Sequence, residues 1–224
     1  EAAEALARTP DRLRGLELRL VMSHLACGPT PGHPMNRRQL DAFQAAAALF
    51  PDAKRSLANS AGIFLGPDFH FDVVRPGITL YGGGPQERPD PRITAVAALE
   101  APILQVRAVL PGESVGYDAT FTAERPTRVA IVPLGHADGI LRSLAGHGFA
   151  WFEGARRPIL GSVSMDLVAI DVTGSEAARL GEGGERSGPN ARGDDVAKAA
   201  GTVSYEVLVR LSGRADRIYR GSPG

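Results

Sequence analysis

The stretch GGGPQERPDP, residues 82–91, constrains the fold more than any other, because the apolar pattern differs on its two sides. It is polar and dense in glycine and proline, as a boundary between folding units is. Before it, residues 1–16 carry Ala3, Leu6, Ala7 and Leu13 at helical spacing, with Gly15 as a stop. LELRLVMSHLAC (16–27) reads as a buried strand and, after the loop GPTPGHP (28–34), NRRQLDAFQAAAALF (36–50) reads as a helix. KRSLANS (54–60) and FDVVRPGITLYG (71–82) are further strand-like runs. Strand, helix, strand in this order predicts parallel β/α units. About three such strands are too few to close a barrel that needs eight.

Beyond residue 91 the runs shorten. ITAVAALEAPILQVRAVL (93–110), TRVAIVPL (127–134), GFAWFE (148–153), RPILGSV (157–163) and DLVAIDV (166–172) are β-rich and separated by turns. They predict a mainly antiparallel β-domain. Residues 174–194 are rich in Gly, Ser and charge with few apolar anchors, and read as a mobile loop. DDVAKAAGTVSYEVLVRL (194–211) reads as a helix broken at Gly201. The expected fold class is α/β plus β, with an α/β unit over 1–90 and a β-domain over 91–224.

Composition removes several functions. Lys+Arg and Asp+Glu are both 25, so there is no basic footprint for nucleic acid or an anionic membrane. No apolar stretch of roughly 18 residues offers a membrane span. The single cysteine, Cys27, excludes a disulfide framework, and zinc-type spacings are lacking. Only Lys54 and Lys198 are lysines among the basic residues. An arginine neither forms a Schiff base nor loses its proton near neutrality, so chemistry that needs an amine has two candidates.

Four short constellations carry chemical potential. LANSAG (57–62) offers Asn59 and Ser60 with backbone N–H groups at a helix start, which suits a phosphate; an ordinary capping serine gives the same pattern. RPGITLYG (75–82) places Arg75 at a strand end and lets the backbone at Gly77 approach a ligand, although an arginine there equally suits a salt bridge. PLGHADGILR (133–142) brackets His136 and Asp138 with glycines, as a platform for a general base or as a plain structural turn. GSVSMD (161–166) sets Met165 and Asp166 after a β-run, where a buried Met and a turn Asp serve as well.

Taken together, LANSAGIFLGPDFHFDVVRPGITLYG, GYDATFTAERPTRVAIVPLGHADGILRSL, GSVSMD and TVSYEV resemble the alanine racemases in order and spacing. The resemblance runs over residues 2–172 and 195–220. It implies the last three or so β/α units of a TIM-like barrel that binds pyridoxal 5'-phosphate (PLP), followed by the family's β-domain. It implies a homodimer with shared active sites, L- and D-alanine as substrates, a cytoplasmic location and D-alanine supply for peptidoglycan. Asn59, Ser60, Gly77, Ile78 and Tyr205 match positions that bind the cofactor, its phosphate in particular. Arg75 matches the arginine facing the pyridine nitrogen, and His24 a histidine that positions it. Met165 matches the residue whose N–H meets the substrate carboxylate, with Asp166 beside it.

Several departures accompany the resemblance. The family's PLP lysine lies in an early barrel segment, and neither Lys54 nor Lys198 matches it. His136 stands where the family has a tyrosine base; imidazole titrates near neutrality and phenol near about 10. Ser162 stands where an arginine is usual, and 174–194 lacks a β-rich segment that belongs there. The reading is therefore the C-terminal portion of a PLP-dependent racemase, inactive by itself. A non-catalytic dimerising or regulatory relic and a broad-range amino-acid racemase are the alternatives.

Overall fold

A computed structural model describes residues 2–187 and 190–221. The chain divides into two compact units, Glu1–Ile93 and Thr94–Gly224, just past the 82–91 stretch.

In the first unit α1 spans Ala2–Ala7, and a separate 3-10 turn covers Pro10–Leu13. The single helix expected over 1–16 is interrupted there because Pro10 disfavours helical backbone at the residue before it. Thr9 has φ −126° and ψ 68°. β1 (Leu20–Met22) leads through a loop to α2 (Pro34–Ala47), then to β2 (Lys54–Ser56), which lies parallel to β1. Pro34 has no N–H to waste at the first helical position, and the His33 ring nitrogen accepts the Met35 N–H at 3.1 Å. Leu40, Phe43 and Ala47 share one face of α2 and pack with Leu25 and Leu57. After β2, α3 (Ser60–Ile63) turns the chain toward 71–82.

The third strand expected over 71–82 does not form. Arg75 makes one isolated parallel bridge, to Asn59, and Ile78–Tyr81 coils into a 3-10 turn. Pro76 carries no N–H to continue a ladder, which is why pairing stops after one residue.

The second unit contains β3 (Leu99–Pro102), β4 (Gln105–Val109), β5 (Ser114–Val115), β6 (Phe121–Thr122), β7 (Thr127–Val132), β8 (Phe149–Phe152), β9 (Ala155–Leu160), β10 (Val168–Asp171) and β11 (Gly183–Ser187). Among the described residues, seven of these form one sheet in the order β3-β11-β8-β9-β10-β7-β4, every pair antiparallel. β5 and β6 make a separate hairpin. The segment 174–194 is thus not all loop. β11 pairs with β3 and, at Glu185, with β8, using backbone groups that need no apolar side chains. Gly188 and Pro189, in the same segment, lie outside the described residues.

The helix expected over 194–211 is two helices, α4 (Gly193–Ala200) and α5 (Ser204–Val209). They part at Gly201, whose φ of +71° is left-handed and ends α4. No helix among the described residues is long and apolar enough to cross a membrane.

Both faces of the sheet's centre are buried, which explains its unbroken apolar runs. Ala130, Val132, Val168 and Ile170 point into one cluster with Ile159, Val196 and Val207. Val129 and Ala169 alternate to the other face, with Val109 and Leu160 and the partly buried Val115 and Phe121. Ile170, at 1% exposure, sits in the middle of the first cluster. Ile170→Ala is expected to destabilise the second unit by about 2–5 kcal/mol, read as a lower melting transition by calorimetry.

Candidate functional site

Two polar clusters, one in each unit, contain most of the singled-out residues. The first lies at the C-terminal ends of β1 and β2, the end where parallel α/β sheets build their sites. Ser23 and His24 follow β1, Ser56 closes β2, and Leu57, Asn59 and Ser60 come next. Arg75 reaches across both strand ends. Its guanidinium donates to Ser56 Oγ and to the Ser23 carbonyl, each at 2.6 Å, and lies 3.5 Å from His24 Nδ1 and from the Leu57 carbonyl. Ser56 is fully buried and passes its own proton to the Val73 carbonyl at 2.7 Å. Among the described residues, the groups that accept from this half-buried cation are uncharged serine and carbonyl oxygens, so its charge is fixed in place rather than cancelled.

Asn59, not Ser60, caps α3. Its Oδ1 accepts the Gly62 N–H at 2.9 Å, and its Nδ2 lies 3.1 Å from His24 Nε2. Because Oδ1 is occupied by that cap, Nδ2 is the donor toward His24, and Nε2 accepts. Ser60 is freed from capping. Its hydroxyl, 2% exposed, accepts the Gly77 N–H at 2.7 Å and stands 3.3 Å from the Thr79 hydroxyl. A Cβ on Gly77 would come within 3.9 Å of Ser60 Oγ. Ser60, Gly77 and Thr79 therefore bring hydroxyls and backbone N–H groups to one spot, the kinds of group a phosphate takes, with the Gly77 N–H satisfied here by Ser60 Oγ. Thr79 was not picked out in the sequence; its place two residues past Gly77 is the only cue.

The second cluster joins two loops of the sheet unit. His136, exposed, opens a 3-10 turn bracketed by Gly135 and Gly139. Its N–H donates to the Ser164 carbonyl and the Ala137 N–H to the Met165 carbonyl, both at 3.0 Å. That docking needs glycine: a Cβ on Gly135 would lie 2.1 Å from the Met165 oxygen, and one on Gly139 2.1 Å from the Arg210 oxygen. Asp138 is buried and accepts the Gly135 N–H at 2.9 Å, holding the turn closed. Met165 and Asp166 are exposed beside it. The loop's Ser162 hydroxyl accepts the Tyr117 N–H at 3.1 Å. Arg214 contacts both Asp166, at 2.8 Å, and Asp138, at 3.4 Å. These raise its pKa above the ordinary guanidinium value, the hydrogen bond to Asp166 first and the charge of Asp138 next.

Tyr205 lies half-exposed on α5 of the second unit. Its neighbour Glu206 is held below the usual carboxylate range, first by the Thr202 hydroxyl and then by Arg210. Lys54 opens β2, exposed, and Lys198 is exposed on α4.

Two family models match the chain. The one described as "Alanine racemase, N-terminal domain" covers residues 1–85, and "Alanine racemase, C-terminal domain" covers 96–219. Among curated proteins, a catabolic alanine racemase of Agrobacterium fabrum is 42% identical over 98% of this chain and 57% of its own length. An alanine racemase of Rhizobium meliloti is 44% identical over 99% of this chain and 62% of its own. The chain thus spans roughly three-fifths of these relatives. Of solved structures, the alanine racemase of Bartonella henselae with covalently bound pyridoxal phosphate superposes with TM-score 0.91 at 38% identity. It is matched over 97% of this chain and 61% of that one. The biosynthetic alanine racemase of Pseudomonas aeruginosa gives 0.89 at 37%, over 97% and 62%.

The turn-to-loop contact is testable without any ligand. Gly135→Ala forces backbone apart at the Met165 carbonyl, and is expected to cost about 1–3 kcal/mol in chemical denaturation followed by tryptophan fluorescence.

Proposed function

The chain belongs to the alanine racemase family, and on that premise we propose that its residues serve the interconversion of L- and D-alanine with PLP. The observation that carries the reading is the Ser60–Gly77 contact, where a buried hydroxyl and backbone N–H groups converge beside an uncancelled arginine. In this reading β1, α2 and β2 are part of a PLP-binding barrel, and the antiparallel sheet is the family's C-terminal domain.

Ser60 Oγ and the N–H groups of Gly77 and Ile78 would hold the cofactor phosphate, and Asn59 keeps His24 and α3 in place. Tyr205 carries the family's match to a cofactor-binding position. PLP, when bound, supplies the electron sink that lets an amino acid give up its α-proton. Arg75 would be the residue that meets the pyridine nitrogen. As a permanent cation with donors only, it cannot accept a proton from that nitrogen and disfavours its protonation, which limits side reactions. Ser23 and Ser56 keep the guanidinium aimed, with His24 packed beside it. Met165 offers its N–H to the substrate carboxylate, with Asp166 alongside. The His136 imidazole takes the α-proton on one face and returns it from the same side of the ring in the reverse direction. A base on the opposite face is needed for full exchange.

Each active site is shared between two copies, and the product supplies D-alanine for peptidoglycan in the cytoplasm. Neither lysine of these 224 residues matches the family's cofactor lysine; Lys54 starts β2 and Lys198 lies on α4. The linking amine comes from outside residues 1–224. That lysine placement also favours a second reading, a non-catalytic relative that pairs with a complete racemase.

The test incubates the chain with PLP and L-alanine, reduces it with borohydride, and measures D-alanine. Residues 1–224 alone are expected to give no D-alanine and no adduct at Lys54 or Lys198. Joined to a racemase segment that carries the family's lysine, they are expected to form D-alanine. An adduct at Lys54 with turnover overturns the lysine argument, and a joined protein that binds PLP without racemising favours the second reading.

A further inference from the structure

Arg214 has no part in the reading above, yet it pairs with both loops of the sheet-unit cluster. Nη1 lies 2.8 Å from Asp166 Oδ1, and Nε lies 3.4 Å from Asp138 Oδ1. The two carboxylates belong to different loops. Asp138 closes the turn that carries His136, through its other oxygen and the Gly135 N–H. Asp166 adjoins Met165, whose carbonyl receives the Ala137 N–H. A planar guanidinium spans two acceptors from one fixed fork, which a single ammonium does not.

The segment that delivers Arg214 is itself anchored to the turn. The Arg210 carbonyl lies against Gly139, the Ser212 N–H donates to the Asp138 carbonyl at 3.4 Å, and the Arg214 N–H donates to Ser212 Oγ at 3.1 Å. The contacts differ in weight. Asp138 is 10% exposed and Asp166 55%, so water screens the Asp166 pair more than the Asp138 one. Without the cation, two carboxylates would face each other across the loop junction and push it open.

We propose that Arg214 is a positioning residue that fixes the spacing between the His136 imidazole and the Met165 N–H by clamping Asp138 to Asp166. The mechanistic meaning of that spacing rests on the racemase reading, whereas the clamp does not.

The experiment has two arms. In the first, amide hydrogen exchange is measured for the chain and for Arg214→Met and Arg214→Lys. Exchange at His136 and Ala137 is expected to quicken about tenfold or more in both variants, with Ala130 and Ile170 still protected. Added guanidinium ion is expected to slow it again in Arg214→Met. Unchanged exchange at both amides, or full protection in Arg214→Lys, overturns the clamp. Should Arg214→Met also deprotect Ala130, Asp166→Asn decides instead, local quickening supporting the clamp and unchanged exchange overturning it. In the second arm, in the joined protein that racemises, Arg214→Met is expected to lower kcat about tenfold with KM for alanine within about threefold. Unaltered kcat overturns the positioning role. A parent protein that does not racemise fails the racemase reading, and the exchange arm still decides the clamp.

Discussion

The candidate cofactor site depends on one cation. Arg75 ties the ends of two parallel strands through Ser23 and Ser56, and those acceptors are uncharged. Burying a charge without a counter-charge is costly. The cost here is moderated because the guanidinium is only part-buried and both terminal nitrogens donate, to Ser56 and to the Ser23 carbonyl. What remains is a positive field held at one place, with His24 and Asn59 arranged around it. Such a field favours an anionic ligand over a cationic one.

The sheet unit works by a different constraint, close approach of backbone. Gly135 and Gly139 let a short turn lie flush on the Met165 loop and on the Arg210 carbonyl, and Asp138 ties the turn from inside. His136 is displayed by that docking rather than held by contacts of its own side chain. An imidazole in a frame set by backbone hydrogen bonds at 3.0 Å keeps its turn geometry whatever group occupies the position. In the proposed reading, where His136 takes the place of a family tyrosine, that exchange changes the reach and chemistry of the tip and leaves the turn beneath it to the backbone.

Much of this was legible in the sequence. Runs such as TRVAIVPL and DLVAIDV signalled strands of a mainly antiparallel sheet, and Gly201 signalled the break between α4 and α5. Other features lay below what a periodic pattern can carry. The strand expected at 71–82 is apolar enough to qualify, but Pro76 lacks the N–H a ladder requires. β11, written GGERS, is a strand by backbone pairing with no apolar signature. The cap of α3 fell to Asn59, which left the Ser60 hydroxyl for Gly77, and no local rule separates those two residues. Arg214 acts across 48 residues to reach Asp166, and one exposed arginine among many carries no sequence mark.

In the proposed function the Ser60–Gly77 corner and Arg75 form the cofactor site. A crystal structure of the chain grown with PLP is expected to place the phosphate within hydrogen-bond reach, about 3 Å, of Ser60 Oγ and the Gly77 N–H, with the pyridine nitrogen facing Arg75. PLP bound elsewhere, or with its phosphate on Arg75 and its ring turned away from that residue, would contradict it.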